Sequence, residues 1–266
     1  MTDTIDWTGL EKFARRLAEA AGAAILPHFR APIHVDDKPG MRDFDPVTEA
    51  DRAGEAAMRA LIAAHYPDHG IIGEEYGTER PDAEFVWVLD PIDGTRGFVA
   101  GLPTWTVLVA LHYRGQPVIG LIAQPYIGEL FAGRLIPGTP PAAHWAKGAL
   151  GVRACPGLTQ ATLTSTGTSW FSADQLSRFQ ALQDAVRLPR FGYDAYGYAM
   201  LAMGFIDVVA ECGLKAYDIA ALIPVVEGAG GRFTDWQGGR DFTRGEVLAT
   251  GDPRVHDAAL TLLAKV

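Results

Sequence analysis

Asp90 and Asp93 lie three residues apart at the end of the apolar run Trp87-Val88-Leu89, with Pro91 and Ile92 between them and Gly94-Thr95 behind. A buried strand ending there presents Asp90, Pro91 turns the chain, and Gly94 is free to take backbone angles that other residues avoid. Both carboxylates can then face one point. Magnesium takes hard oxygen ligands in near-octahedral geometry, so two acids, a backbone carbonyl and water form a suitable donor set. The Ile92 carbonyl, held between the acids, is a natural extra donor. A helix starting after Asp93 would aim the Gly94 and Thr95 amides outward as a phosphate cradle, assisted by the helix dipole. The competing account is an ordinary Asp-Pro/Asp-Gly turn, which such dipeptides often form.

Further acids recur at element ends. Glu74 and Glu75 follow the apolar stretch HGIIG, a place where adjacent acids ordinarily face water. Asp51 stands three residues after Thr48 and completes a capping box if a helix starts there. Asp218 heads a helical segment and serves equally as an N-cap. The histidines (His28, His34, His65, His69, His112, His144 and His256) show no metal-ligand spacing on one helix face and read mostly as surface or loop residues. Cys212, with no paired base identifiable in the sequence, reads as a small strand hydrophobe and not a nucleophile.

Elements must bring these acids together. Leu10, Phe13, Ala14, Leu17, Ala21, Ala24, Ile25 and Phe29 recur at helical steps, predicting a helix that Pro32 ends. A second helix is predicted from Thr48 to about Tyr66, with Ala53, Ala57, Leu61 and Ala64 on its buried stripe. HGIIGEE reads as a short strand and EFVWVLD as a strand broken at Pro91. Positions 106–134 read as three antiparallel strands, interrupted by turns at Arg114-Gly115-Gln116-Pro117 and Tyr126-Ile127-Gly128. Pro137 to Pro141 is a surface loop and the seam between an N-terminal half, 1–136, and a C-terminal half, 137–266. Ser172 and Gln175 form a capping box for a helix to about Val186. Tyr193 to Gly204 reads as helix, FIDVVAE as strand, and Asp218 opens a helix that closes at Gly230-Gly231. The fold class is layered α/β with mixed sheets.

A chain of 266 residues with 48% hydrophobic and 21% charged residues is globular in composition. Its net charge of -9 argues against a nucleic-acid partner, because polyanion binding is driven by Lys and Arg displacing counterions. A small phosphate remains compatible if metal ions bring the positive charge. The two cysteines form no C-x-x-C pair, which argues against a disulfide framework or a structural zinc site and fits a reducing cytoplasm. No export signal and no apolar stretch of membrane-spanning length is legible, so no membrane partner is expected.

The runs GEE, WVLDPIDGTRGF and AYDIAALIPVVEGAGG, in this order and at these separations, resemble the inositol monophosphatase superfamily over roughly positions 45 to 250. The resemblance implies a layered α-β-α-β-α fold of the inositol monophosphatase/fructose-bisphosphatase type, and a homodimer. It implies Mg2+ dependence, with about two or three ions per site as in two-metal hydrolysis. Metal ligands would be Glu74, Asp90, the Ile92 carbonyl, Asp93 and Asp218, with Asp51 near a further metal and Glu74 with Thr95 orienting the attacking water. Inositol-type members usually read D-G-T-x-N-F and carry Trp before the late aspartate, where this chain has Arg96-Gly97-Phe98 and Tyr217. GTRGFVAGLP, GYDAYG and GLKAYD are similar to the histidinol-phosphatase branch. L-Histidinol phosphate carries an amine and an imidazole, which carboxylates at Asp194 and Glu211 would complement. Glu211 discriminates poorly, since inositol-type relatives also place an acid there, and Asp194 could instead be a helix-start cap. Gly94, Thr95, Arg96 and Asp218 complete the expected substrate contacts; Arg96 reads equally as the partner of a local acid, and Lys215 as a solvated loop charge.

Three rivals follow. A haloacid-dehalogenase-type phosphatase has a similar D-x-D-G-T motif, but two residues separate the acids here. An inositol-1-monophosphatase or a 3'(2'),5'-bisphosphate nucleotidase would share the fold. A noncatalytic assembly protein on the same fold would have no reason to keep the set of acids.

Overall fold

The computed structural model describes residues 5–32, 35–37 and 46–264. The chain opens with α1 (Trp7–Ile25), whose apolar stripe from Leu10 to Ile25 is buried as the periodicity predicts. It ends before Pro32, in a short 3-10 turn over Leu26–His28. A small hairpin, β1 (Val35–Asp37) with β2 (Pro46–Thr48), leads into α2 (Glu49–His65). Eight strands then form one sheet: β3 (Gly70–Gly73), β4 (Gly77–Glu79), β5 (Phe85–Asp93), β6 (Thr106–Tyr113), β7 (Gln116–Gln124), β8 (Glu129–Arg134), β9 (Ala142–Trp145) and β10 (Gly148–Ala149). A short helix, α3 (Thr95–Val99), sits between β5 and β6. The sheet order is β10-β9-β8-β7-β6-β5-β3-β4, so it takes strands from both sides of the 137–141 loop.

The remaining elements are β11 (Thr162–Ser165), α4 (Ala173–Ala185), β12 (Leu188–Phe191), α5 (Asp194–Ala202), β13 (Val208–Glu211), α6 (Ala216–Ala220), α7 (Leu222–Gly228), β14 (Arg232–Thr234), β15 (Val247–Thr250) and α8 (Pro253–Leu263). The five strands form a second sheet in the order β12-β11-β13-β15-β14. Helices α1 and α2 cover one face of the large sheet, α5, α6 and α7 lie between the sheets, and α4 with α8 covers the far face of the second. The layers are therefore α-β-α-β-α, as expected.

Burial on both faces explains why β6 is apolar at nearly every position. Val107, Val109 and Leu111 pack toward α1 and α2, whereas Leu108 and Ala110 pack toward the central helices. Where α6 passes into α7, the backbone rests directly on this sheet. A Cβ at Gly120 would lie 2.2 Å from the Ala221 carbonyl oxygen, and one at Gly133 would lie 2.1 Å from that of Pro224.

Four expectations need correction. Strand β5 does not break at Pro91 but runs to Asp93, with a register slip opposite β6: Asp90 faces Leu108 and Asp93 faces Thr106. The extra residue forms a bulge, where proline removes no needed ladder hydrogen bond. In α2 the buried stripe is Ala50, Asp51, Gly54, Glu55, Met58 and Ile62, not the alanine series beginning at Ala53. Two acids occupy the core-facing stripe, so hydrophobicity alone placed it wrongly. The helix around Asp218 starts at Ala216 and is divided into α6 and α7. His256 is buried in α8, its ring between the Thr250 and Thr234 hydroxyls at 2.9 and 3.1 Å, and is not a surface residue. His34 lies outside the described residues.

Candidate active site

The bulge of β5 turns both of its acids toward the start of α6. Carboxylate oxygens of Asp90, Asp93 and Asp218 lie within 4.8 Å of one another. Asp90 is buried, while Asp93 and Asp218 keep some exposure to solvent. Asp218 is not an N-cap. It sits in the first turn of α6 and reaches back to accept a hydrogen bond from the Lys215 backbone N–H at 2.6 Å, leaving the Lys215 side chain exposed. Asp93 Oδ2 accepts from the Ala195 N–H at 2.6 Å, which ties the large sheet to the start of α5.

The other predicted acids surround this trio. Glu74 follows β3 beside β5, its N–H donating to the Leu89 carbonyl at 3.2 Å, and its charge acts on Asp90, Asp218 and Asp51. Asp51 does complete the capping box, accepting from the Thr48 N–H at 2.8 Å and its hydroxyl at 2.6 Å. It is also buried and faces Glu74 and Glu75 electrostatically, so the cap and the acid cluster share one side chain. Glu211 ends β13, with Oε1 accepting from the Thr166 N–H and hydroxyl at 2.7 and 2.6 Å and Oε2 from the Tyr198 hydroxyl at 3.0 Å.

Asp194 is the first residue of α5, one position past the N-cap, which is Tyr193. It has a φ of 47°, and its carboxyl lies against Gly94, where a Cβ would meet it at 2.9 Å. Gly94 itself has a φ of 83°, which only glycine adopts at no steric cost, and the chain turns there into α3. The Thr95 hydroxyl donates to the Ile92 carbonyl at 3.0 Å, the oxygen assigned to the metal by resemblance. Arg96 lays its guanidinium over the Trp170 ring at 5.0 Å and pulls electrostatically on Asp194. Thr166, Tyr198 and Trp170 carry no signal in the sequence that would single them out. Their roles arise from contacts with residues 13 to 74 positions away.

So many carboxylates in one place disfavour their own ionisation. Burial, then the charges of Glu74, Asp93 and Asp218, holds Asp90 well above the usual carboxylate range. Burial, then Asp194 and Asp218, does the same to Asp93 against the opposing Ala195 N–H. Burial lifts Asp218 to about 7 despite the Lys215 N–H, and Asp194 to about 7 with help from the Glu211 charge. Asp51 is likewise raised to about 7, by burial first, against its Thr48 hydrogen bonds. Burial also pushes Glu211 upward. A cation among these oxygens reverses that cost. The donors fit one: they are all hard oxygens, and Asp90 Oδ1 is buried with no hydrogen-bond partner among the described residues.

The family model of the inositol monophosphatase family matches residues 6–266. The chain belongs to the inositol monophosphatase family. It is a phosphoric monoester hydrolase of that family, whose members are generally metal-dependent. It is 41% identical over 270 residues, covering 96% of this chain and 76% of the relative, to "Bifunctional phosphatase IMPL2, chloroplastic" of Arabidopsis thaliana. It is 34% identical to a histidinol-phosphatase of Mycobacterium tuberculosis, covering 94% of this chain and 96% of that one. An inositol monophosphatase structure from Zymomonas mobilis superposes with a TM-score of 0.86 at 39% identity, over 98% of this chain and 100% of that one. No helix among the described residues is long and apolar enough to cross a membrane.

Proposed function

We propose that this family member is a Mg2+-dependent histidinol-phosphatase, hydrolysing L-histidinol phosphate to L-histidinol and phosphate. The observation that carries the reading is Asp194, whose carboxyl lies against Gly94 and one residue before the Ala195 N–H that Asp93 accepts from, with Glu211 as a second acid that also acts on Asp93 and Asp218. A substrate with a cationic amine and an imidazole complements such a surplus of negative charge, and a neutral polyol does not need it. The named relatives from Arabidopsis thaliana and Mycobacterium tuberculosis lend support, as phosphatases similar along nearly the whole chain.

Glu74, Asp90, the Ile92 carbonyl, Asp93 and Asp218 would hold the cations, with Asp51 beside a further one. When bound, Mg2+ supplies positive charge to the phosphate and makes water more acidic. Glu74 with Thr95 orients the attacking water. The Gly94 and Thr95 amides hold phosphoryl oxygens, and Arg96 flanks them. The same reading takes the protein to be a homodimer, and its free, buried Cys155 and Cys212 fit a reducing cytoplasm.

The test is phosphate release, with and without Mg2+, from histidinol phosphate, inositol 1-phosphate, 3'-phosphoadenosine 5'-phosphate and fructose 1,6-bisphosphate. The highest kcat/KM is expected for histidinol phosphate, with release lost on chelation. A higher value for inositol 1-phosphate would replace the substrate assignment. Absence of release from all four would favour the assembly-protein reading.

A second prediction isolates Asp194. Its positive φ makes alanine strained at this position, whereas asparagine tolerates the conformation and removes only the charge. Asp194→Asn should raise KM for histidinol phosphate by about tenfold or more, the worth of one hydrogen bond to a charged group. Because Asp194 also acts on Asp93, the informative quantity is the ratio of that loss to the loss on inositol 1-phosphate. Equal losses on both substrates would remove Asp194 from specificity.

A further inference from the structure

Glu55 is fully buried, lies one helical turn beyond Asp51 on the core-facing stripe of α2, and belongs to none of the groups assigned above. A buried carboxylate is costly unless its oxygens are satisfied. Here both are. Oε2 accepts from the Glu75 N–H at 2.7 Å and Oε1 from the Tyr76 N–H at 3.2 Å. Oε1 also pairs with Arg59 Nε at 2.7 Å. Arg59 in turn donates to Glu79 at 2.7 Å and to the Gly77 carbonyl. Helix α2 therefore grips the β3–β4 turn at Glu75 and Tyr76 and strand β4 behind it, through Glu55 and the two ion pairs of Arg59.

Glu74 is the residue that enters this turn. Its N–H is held from the sheet side by the Leu89 carbonyl, and the next two amides are held from the helix side by Glu55. The approach is close: a Cβ on Gly73 would fall 2.0 Å from Glu55 Oε1. No side chain other than hydrogen fits between the clamp and the turn.

We propose that Glu55, held by Arg59, is a positioning residue for the reaction: it fixes the backbone that aims the Glu74 carboxylate at Asp90 and Asp218. Glu55 touches neither substrate nor metal and acts through Glu74. The inference rests on the reading of Glu74 as a metal ligand that orients the attacking water, proposed above.

The experiment measures kcat, KM, half-saturating Mg2+ and Tm for Glu55→Gln and Gly73→Ala, with Glu74→Gln as the control. In Glu55→Gln one accepting oxygen becomes a donor facing a backbone N–H. In Gly73→Ala the clamp is pushed from the turn's side with every polar group retained. Both are expected to lower kcat by about 10- to 100-fold, the range for groups that orient a metal ligand. Both should also raise half-saturating Mg2+, with KM for substrate unchanged. A merely structural contact would lower Tm and leave kcat per folded molecule and the Mg2+ response at wild-type values; that result from either folded variant overturns the proposal. Wild-type turnover in Glu74→Gln would instead overturn the reading of Glu74 itself, and the inference with it.

Discussion

Asp93→Asn should lower kcat/KM for phosphate release by about 10³-fold or more, beyond the 10- to 100-fold that loss of an outer-shell partner costs. The substitution keeps the shape of the side chain and an oxygen able to accept from the Ala195 N–H, which the carboxylate binds at 2.6 Å. What it removes is one negative charge from the Asp90, Asp93 and Asp218 trio. Positive charge must be gathered at this point if a phosphate, itself anionic, is to meet a nucleophile, so weakening the anionic cage strikes the chemical step directly. The fold should not suffer. Burial, then the charges of Asp194 and Asp218, already favours the protonated, neutral form of Asp93 in the metal-free fold, so a neutral amide costs little there, and the metal-free variant should melt at or above the wild-type temperature. Kinetics across a Mg2+ series beside a thermal melt checks both halves. A near-normal rate at saturating Mg2+ would refute the assignment of Asp93.

The metal-free protein should lose stability as pH rises from 6.5 to 8, and added Mg2+ should restore more at pH 8 than at 6.5. Asp51, Asp194 and Asp218 stand at about 7 in the fold against an ordinary value of 3.8. Between those values the folded chain holds protons that the unfolded chain has released, so stability falls with rising pH through the folded pKa. Asp90 and Asp93, raised further, extend the trend to higher pH. The lower limit of 6.5 is chosen because His112 and His256, held neutral down to about 4 by burial, act in the opposite sense below that point. Mg2+ binds the deprotonated carboxylates of the folded state and stabilises by mass action. In a protein of this size each kcal/mol moves Tm by about 2–4 °C, so several coupled acids give a readable shift. A chelated protein whose Tm is flat or rising between pH 6.5 and 8 would show that these acids are not buried together.

Turn chemistry and periodicity made much of the scaffold readable before any coordinates. The interruptions at Arg114-Gly115-Gln116-Pro117 and Tyr126-Ile127-Gly128 mark the breaks between β6, β7 and β8, although Gln116 and Pro117 already pair as the start of β7. Thr48 and Ser172 start their helices with the predicted capping boxes. These signals are local, carried by a few adjacent residues. The failures have the opposite character. Pro91 looks like a strand stop until its partner strand is known, because only pairing with β6 reveals a bulge that tolerates it. Asp51 reads as a helix cap and Glu55 carries no reading at all until the Glu74 turn is packed against them.

The candidate site shows the same division. Asp90 and Asp93 were legible as candidate cation ligands by residue type and Asp218 by resemblance alone, and the fold brings the three carboxylates together. Glu211 was legible as an acid but not as one clamped by Thr166 and Tyr198. Trp170 beneath Arg96 was not legible at all, since an aromatic residue in a loop has no spacing to betray its partner. Glu55 left one usable trace: a second acid four residues after Asp51, on a helix face otherwise apolar.

Gly120 and Gly133 lie against the backbone of Ala221, Pro224 and Val225, and the seam they provide lets α6 and α7 lie flush on the sheet whose strand β5 ends in Asp90 and Asp93. Asp218 rides on that seam. The gauge of the anionic centre is thus cut by two positions whose contribution is the absence of a side chain, and a single methyl at either would act as a shim under the carboxylate opposite.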